Sequence, residues 1–231
     1  MYAMTSIKES IQFFHNTLPG NVRLIAVSKT HPTDRIREAL AAGQTDFGEN
    51  KMQEMTAKNM ALAGSGARWH CIGHLQTNKV KDIAPYVHMI HSVDSFRLMQ
   101  EIERQAARCG RVIPCLLQVH IATEETKFGF SEEELTTLLE TADWTGLQHL
   151  RICGLMGIAS TGAPVPQLRS EFGRLRQMQQ FLKTRWFSDR EDFKELSMGM
   201  SEDWETAVEE GSTMVRIGSL IFGRRTYAVN A

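Results

Sequence analysis

The lysine with the most distinctive setting for chemistry in this sequence is Lys29, which ends an apolar run and lies between Ser28 and Thr30. At the end of a buried strand an amine is partly desolvated, and desolvation favours its neutral, nucleophilic form. This form is the one that condenses with an aldehyde to give a Schiff base. A lysine so placed is, taken alone, more often ion-paired or extended towards solvent.

Two glycine-containing turns near the C-terminal end of the sequence are typical of a phosphate site. They are Ser197–Ser201 and Ile217–Ser219. Glycine lets the backbone approach an anion closely, and Ser201 and Ser219 add hydroxyl donors. The alternative is a pair of ordinary tight turns with helix caps.

Arg216 is a charged residue within the apolar run Met214–Ile217, so it needs a partner. That partner is either a carboxylate such as Glu49 or the pyridine nitrogen of a bound cofactor. An amine at Lys29, a phosphate turn and a ring-facing arginine together describe a site for pyridoxal 5′-phosphate (PLP).

The elements that must position these residues follow a repeating order of a short apolar run, a polar turn and an amphipathic stretch. Eight strands are predicted, at Arg23–Ser28, Asp46–Gly48, Trp69–Gly73, Met89–Val93, Cys115–Ile121, Ile152–Ile158, Glu195–Met198 and Met214–Ile217. Helices are predicted near Thr5–Thr17 and at Asp34–Ala42, Ser95–Cys109, Glu132–Ala142 and Gln167–Arg185. Alternation of this kind predicts an α/β fold, a closed (β/α)8 TIM barrel, with functional groups at the carboxyl ends of its strands. An open doubly wound sheet is the alternative, but no G-x-G-x-x-G follows the first strand.

The composition favours a single cytoplasmic domain over residues 1–231. The chain has 26 Lys plus Arg against 27 Asp plus Glu, so nucleic acid is not an expected partner. It lacks an apolar run long enough to span a membrane and an export signal at its N-terminus. Its four cysteines lack C-x-x-C spacing and are expected to be thiols in a reducing compartment.

Several longer motifs resemble one known family. They are Ala26–Thr30, Phe47–Asn50 with Gln53-Glu54, Trp69–Lys79, Lys127–Phe130, Gly154–Met156, Leu196–Asp203, Val215–Ser219 and Ile221–Gly223. The chain is similar over almost its whole length to the YggS/PROSC family of PLP homeostasis proteins.

That resemblance implies a PLP fold-type III barrel without the C-terminal β-domain of alanine racemases. It implies that Lys29 carries the cofactor as an aldimine, that Asn50 lies near it and that Arg216 meets the pyridine nitrogen. The residues implied around the phosphate are Met200, Ser201, Gly218 and Ser219. Ser219 departs from the usual threonine and keeps its hydroxyl, whereas His31 stands where lysine often precedes the proline and is expected at the rim.

Two functions compete for such a site. An amino-acid racemase would need a second base, a tyrosine on a partner subunit's C-terminal domain, and no evident placement for this role exists for Tyr2, Tyr86 or Tyr227. An arginine at the ring nitrogen also disfavours protonation of that nitrogen and weakens PLP as an electron sink. We therefore expect a reversible PLP carrier without a dedicated reaction, a monomer that passes PLP to PLP-dependent apo-enzymes.

Two further features have ordinary alternatives. Lys127 is a candidate for cofactor transfer in the resembled family, and a solvated loop lysine is the alternative. A metal-dependent hydrolase is a third class, but the histidines form no recognised ligand set. His88 and His91, three apart on a strand, are expected to face opposite sides, and no metal is expected.

Overall fold

The eight strands form one closed parallel barrel in which every strand pairs with its neighbours in chain order, and β8 closes onto β1. This computed structural model describes residues 6–123 and 128–223. The strands are β1 Arg23–Val27, β2 Asp46–Glu49, β3 Arg68–Cys71, β4 Met89–Val93, β5 Ile113–Val119, β6 Leu150–Gly157, β7 Glu195–Met200 and β8 Met214–Ile217. The predicted TIM barrel and all eight of its strands are confirmed: β4 and β8 have the predicted bounds, and the ends of the other strands differ by at most two residues.

One helix precedes β1, and the other helices follow the strands. They are α1 Ile7–Thr17, α2 Thr33–Ala41, α3 Met52–Ala61, α4 Val80–Ile83, α5 Phe96–Arg108, α6 Glu132–Thr141, α7 Val165–Arg185, α8 Trp204–Glu209 and α9 Ser219–Phe222. Ser95 and Ser131 begin α5 and α6 by accepting backbone N–H groups with their side chains, and Ser131 forms a capping box with Glu134. Among the described residues, no helix combines the length and apolar character needed to cross a bilayer.

The buried apolar side chains of the described residues pack in two clusters. The larger one contains residues of both helices and strands and therefore lies between the barrel wall and the surrounding helices. The smaller one contains strand residues only, which places it inside the barrel: Ile25, Met89, Leu116, Cys153, Met156 and Met214. Polar side chains must therefore occupy part of the barrel interior.

Gly154 allows an irregular step in the barrel wall. Its φ is +149°, and a Cβ atom at this position would lie 1.9 Å from the carbonyl oxygen of Glu195 on β7. The register between β5 and β6 shifts just before this glycine. Only glycine meets both conditions, because it has no side chain and tolerates a positive φ.

All four cysteines are free thiols, and three of them are buried. Burial raises the pKa of Cys71 to about 12 and that of Cys153 to about 11. These buried thiols behave as small apolar side chains. The sequence likewise predicted thiols and not disulfides.

Candidate functional site

All seven residues predicted for the site line one cavity of about 560 Å³. The cavity opens at the carboxyl ends of the strands, since its lining residues follow β1, β2, β6, β7 and β8. The predicted set is Lys29, Asn50, Met200, Ser201, Arg216, Gly218 and Ser219. Sequence reasoning thus identified residues that are distant in the chain and adjacent in the fold.

A buried ion cluster holds the turn that carries Lys29. The Lys58 ammonium lies 2.7 Å from a carboxylate oxygen of Glu49 and 2.7 Å from one of Glu54, and it donates to the carbonyl oxygen of Ser28. Glu54 in turn accepts the backbone N–H of Thr30 at 2.6 Å. The chain on both sides of Lys29 is therefore fixed by this cluster.

Thr30 shows why such support is needed. Its φ is +68°, a left-handed conformation that a β-branched residue adopts at a cost of about 1–3 kcal/mol. Glu49 is also buried, and burial raises the pKa of its carboxyl group even though Lys58 acts against the shift. One Glu49 oxygen, Oε2, has no hydrogen-bond partner among the described residues.

Asn50 lines the cavity, and Gly73 lies against its backbone. A Cβ atom at position 73 would lie 2.5 Å from the Asn50 carbonyl oxygen and 2.6 Å from its Cα. The turn after β3 therefore requires glycine. This explains the glycine in the sequence Ile72-Gly73-His74 without any ligand.

The turns after β7 and β8 meet each other in the cavity wall. The Gly218 N–H donates to the Ser201 hydroxyl oxygen at 3.3 Å. The Met200 N–H donates to the Asp203 carboxylate at 2.5 Å, so this amide already has a hydrogen-bond acceptor within the protein. Burial raises the pKa of Asp203. The backbone amides of Gly218 and Met200 are thus both hydrogen-bonded within the protein.

Arg216 is 4% exposed and is held from two sides. It donates to the Ser197 hydroxyl oxygen at 2.7 Å and to the Gly157 carbonyl oxygen at 2.9 Å. Burial lowers its pKa to about 10, while the charge of Asp203 acts in the opposite direction, so the guanidinium stays charged at neutral pH. The alternative of an ion pair with Glu49 is wrong, because Glu49 pairs with Lys58.

Some lining residues were missed by sequence reasoning. The loop after β6 contributes Ser160, Thr161, Gly162 and Ala163, and Glu171 on α7 holds this loop by accepting from the Ser160 amide and hydroxyl, each at 2.7 Å. Gly162, which follows the apolar run of the sixth strand, was the sequence signal that could have identified this loop.

His31 lines the cavity, and its ring stacks on Phe222 with centroids 5.2 Å apart. His31 is half-buried, and the expectation that it lies at the rim stays a prediction. Lys127, Tyr2 and Tyr227 lie outside the described residues. Tyr86 bonds to the Thr56 hydroxyl and does not line the cavity.

Three histidines, His70, His88 and His91, come together in the barrel and are called here the barrel histidines. The His70 ring centroid lies 5.2 Å from that of His88 and 5.1 Å from that of His91. The expectation that His88 and His91 face opposite sides is wrong, because His88 precedes β4 and strand alternation does not apply to it.

Asp46, His70 and His88 have ligand atoms within 4.8 Å of one another, a spacing that suits a metal ion. Their partners disfavour one. Asp46 already pairs with the Arg68 guanidinium, and both ring nitrogens of His70 are hydrogen-bonded. A cation at this point would have to displace these bonds next to a fixed positive charge.

Residues 3–226 match the family described as the N-terminal domain of alanine racemase. The C. difficile alanine racemase structure shares the fold, with a TM-score of 0.70 and 15% identity over 97% of this chain and 58% of that chain. The chain, a closed barrel with a lysine after β1, thus belongs to the class of alanine racemase-type barrels.

Two relatives are more similar. The pyridoxal phosphate homeostasis protein of Pseudomonas aeruginosa is 39% identical over 213 residues, which are 92% of this chain and 89% of the relative. The structure of Synechococcus elongatus PipY with PLP bound has a TM-score of 0.86 and 38% identity over 94% of this chain and all of that chain. The chain belongs to the family of pyridoxal phosphate homeostasis proteins, which confirms the resemblance found in its motifs.

Proposed function

We propose that this protein binds PLP in the cavity at the carboxyl end of the barrel and serves PLP homeostasis. One observation carries the proposal: the amine-bearing Lys29, the buried Arg216 and the two glycine turns, which belong to three strands, line the same cavity. The names of the relatives and the PLP in PipY support it.

The residues present fit the cofactor. A Cβ atom at Gly218 would lie 3.3 Å from the Val27 carbonyl oxygen, so the turn after β8 is already close to the end of β1. Ser201 and Ser219 supply hydroxyl donors suited to a phosphate. Arg216 keeps N–H groups beyond those bound to Ser197 and Gly157, and a charged donor facing the pyridine nitrogen keeps that nitrogen an acceptor.

Lys29 is proposed to hold the aldehyde of PLP as a Schiff base, with loss of one water molecule. Bound PLP supplies an electrophilic carbon and an electron sink. The arrangement of Arg216 weakens that sink. The chain is therefore proposed to store and release PLP, as one domain over residues 1–231, without a dedicated reaction.

The racemase alternative requires a second base opposite Lys29. Within the part of the chain that the structure describes, no tyrosine lines the cavity. We further propose that the protein acts as a cytoplasmic monomer and that PLP-dependent apo-enzymes receive its PLP. Activation of such an apo-enzyme by the PLP-loaded protein, in the presence of a trap for free PLP, is the expected result.

The binding mode is tested by loading the purified protein with PLP, reducing it with borohydride and mapping the peptide that gains mass. Visible absorption bleached by borohydride, with the added mass on Lys29, is expected. Lys29→Ala should lose both signals, and Lys81→Ala, a change at an exposed lysine, should keep them. Colourless protein or mass on another lysine would refute the binding mode, and rapid racemisation of an amino acid abolished by Lys29→Ala would refute the carrier role.

A further inference from the structure

Polar side chains form a continuous hydrogen-bonded path through the barrel interior and end at Arg216. The Asp46 carboxylate at the start of β2 lies 2.8 Å from His70 Nε2, and His70 Nδ1 lies 2.9 Å from His91 Nε2. His91 Nδ1 then lies 2.8 Å from the Ser197 hydroxyl, which accepts from Arg216 at 2.7 Å. The step from His91 to Ser197 joins β4 to β7, two strands that are not neighbours, and so crosses the barrel.

Every member of this path is buried, with exposures between 0% and 4%. Buried polar groups are stable only when their hydrogen bonds are made, so the direction of each bond is constrained. The direction can be assigned from one end. Burial alone would raise the pKa of Asp46, but its hydrogen bonds with His70 and Arg68 and the charge of Arg68 lower it, so Asp46 is an ionised acceptor.

The rest of the directions follow from this acceptor. His70 must donate from Nε2, and since burial lowers its pKa it is neutral and accepts at Nδ1. His91 then donates from Nε2 and, being neutral for the same reason, accepts at Nδ1 from the Ser197 hydroxyl. The Ser197 hydrogen points away from Arg216, which leaves oxygen lone pairs for the guanidinium.

We propose that Asp46, His70 and His91 are positioning residues for Arg216, because a one-directional hydrogen-bond relay from the Asp46 carboxylate orients the Ser197 hydroxyl as an acceptor. This inference deepens the proposed function, since it rests on Arg216 facing the cofactor ring. Asp46, which fixes the direction of the relay, lies at the start of β2 and therefore at the end of the barrel opposite the cavity.

The relay makes a prediction that needs no cofactor. In PLP-free protein labelled with ¹⁵N-histidine, NMR should show both His70 and His91 as neutral Nε2–H tautomers. Nδ1–H on either ring, or a charged ring at neutral pH, would overturn the proposal. Because this measurement uses the wild-type protein, it does not depend on a variant that folds.

Substitution at the two ends of the relay should have different effects. In Asp46→Asn, the side-chain oxygen should stay with Arg68 and the amide should donate to His70, so both histidines should change to Nδ1–H. Ser197→Ala is the matched control, because it removes the last link and leaves the Asp46 anchor, so both should remain Nε2–H. Unchanged tautomers in Asp46→Asn, or altered ones in Ser197→Ala, would contradict the assigned direction.

A second measurement relates the relay to the site. Asp46→Asn and Ser197→Ala should each weaken PLP binding by about 2- to 12-fold, the effect of one net hydrogen bond, and shift the absorption of bound PLP. His88→Asn, which changes a neighbouring ring outside the relay, should do neither. If the wild-type protein shows the assigned tautomers but does not bind PLP, the proposed function is refuted and the relay is not. If the wild-type protein binds PLP and both variants bind it equally well, the role of the relay is refuted and the proposed function is not.

Discussion

Replacement of Lys58 by methionine isolates the contribution of the ion cluster beneath Lys29. Methionine keeps an unbranched side chain of similar size and removes the ammonium, so Glu49 loses its 2.7 Å partner and the Ser28 carbonyl oxygen loses a donor. Removing one partner of a buried ion pair costs about 3–5 kcal/mol because the other charge stays buried. For a chain of this size that corresponds to a fall in Tm of roughly 6–20 °C.

The loss should depend on pH in a defined direction. Burial raises the pKa of Glu49 above its unfolded value, and loss of Lys58 should raise it further. The folded state then binds the extra proton, so stability is retained at low pH and lost as pH rises through the folded pKa. The destabilisation of Lys58→Met should therefore be smaller at pH 5 than at pH 8.

Urea unfolding of Lys58→Met at both pH values tests this, with Arg104→Met as the control for loss of an exposed ion pair. Arg104 pairs with Glu101 on the surface, where such a pair contributes about 0–1 kcal/mol. Adding Glu49→Gln to Lys58→Met should recover part of the stability by removing the unpaired charge. A loss equal to that of Arg104→Met, or one that grows towards pH 5, would refute the reasoning.

Three other predictions concern stability and reactivity. Gly154→Ala should lower the free energy of unfolding by roughly 2–6 kcal/mol, because the new Cβ atom clashes with Glu195 and the φ angle is strained for alanine. Gly20→Ala is the control: it has open space around it and should change the free energy of unfolding by less than about 0.5 kcal/mol. Equal urea midpoints for the two variants would contradict this prediction. Burial lowers the pKa of all three barrel histidines, to about 4 for His88, so the unfolded state binds more protons below about pH 6.5. The free energy of unfolding should therefore decrease as the pH is lowered below this value, by up to about 1.4 kcal/mol per pH unit for each histidine. His88→Asn should reduce this slope in urea titrations. A thiol reagent should modify Cys109 alone in the native protein and all four cysteines after unfolding.

The fold and the location of the site could be predicted because both depend on local patterns. Apolar runs alternate with amphipathic stretches along the chain, and residues that follow parallel strands must meet at one end of a barrel. Lys29 and Ser201 could be assigned to one site on this ground alone.

The interior of the site could not be predicted because it depends on pairings across the barrel. The sequence shows that Arg216 needs a partner, but not that a serine on β7 supplies it while Lys58 takes Glu49. Likewise, His88 and His91 obey strand alternation only if both lie on the strand, and β4 begins at Met89, one residue after His88.

In the hydrogen-bonded interior of this barrel, higher thermostability and cofactor binding favour different residues. Buried polar chains often contribute less to stability than well-packed apolar residues of similar volume, so joint replacement of Asp46, His70 and His91 by apolar residues should be tolerated better than any single replacement. Such a redesigned barrel would resist heat and lose the support of its arginine. Directed evolution for heat resistance alone is therefore expected to weaken cofactor binding through substitutions in the barrel interior.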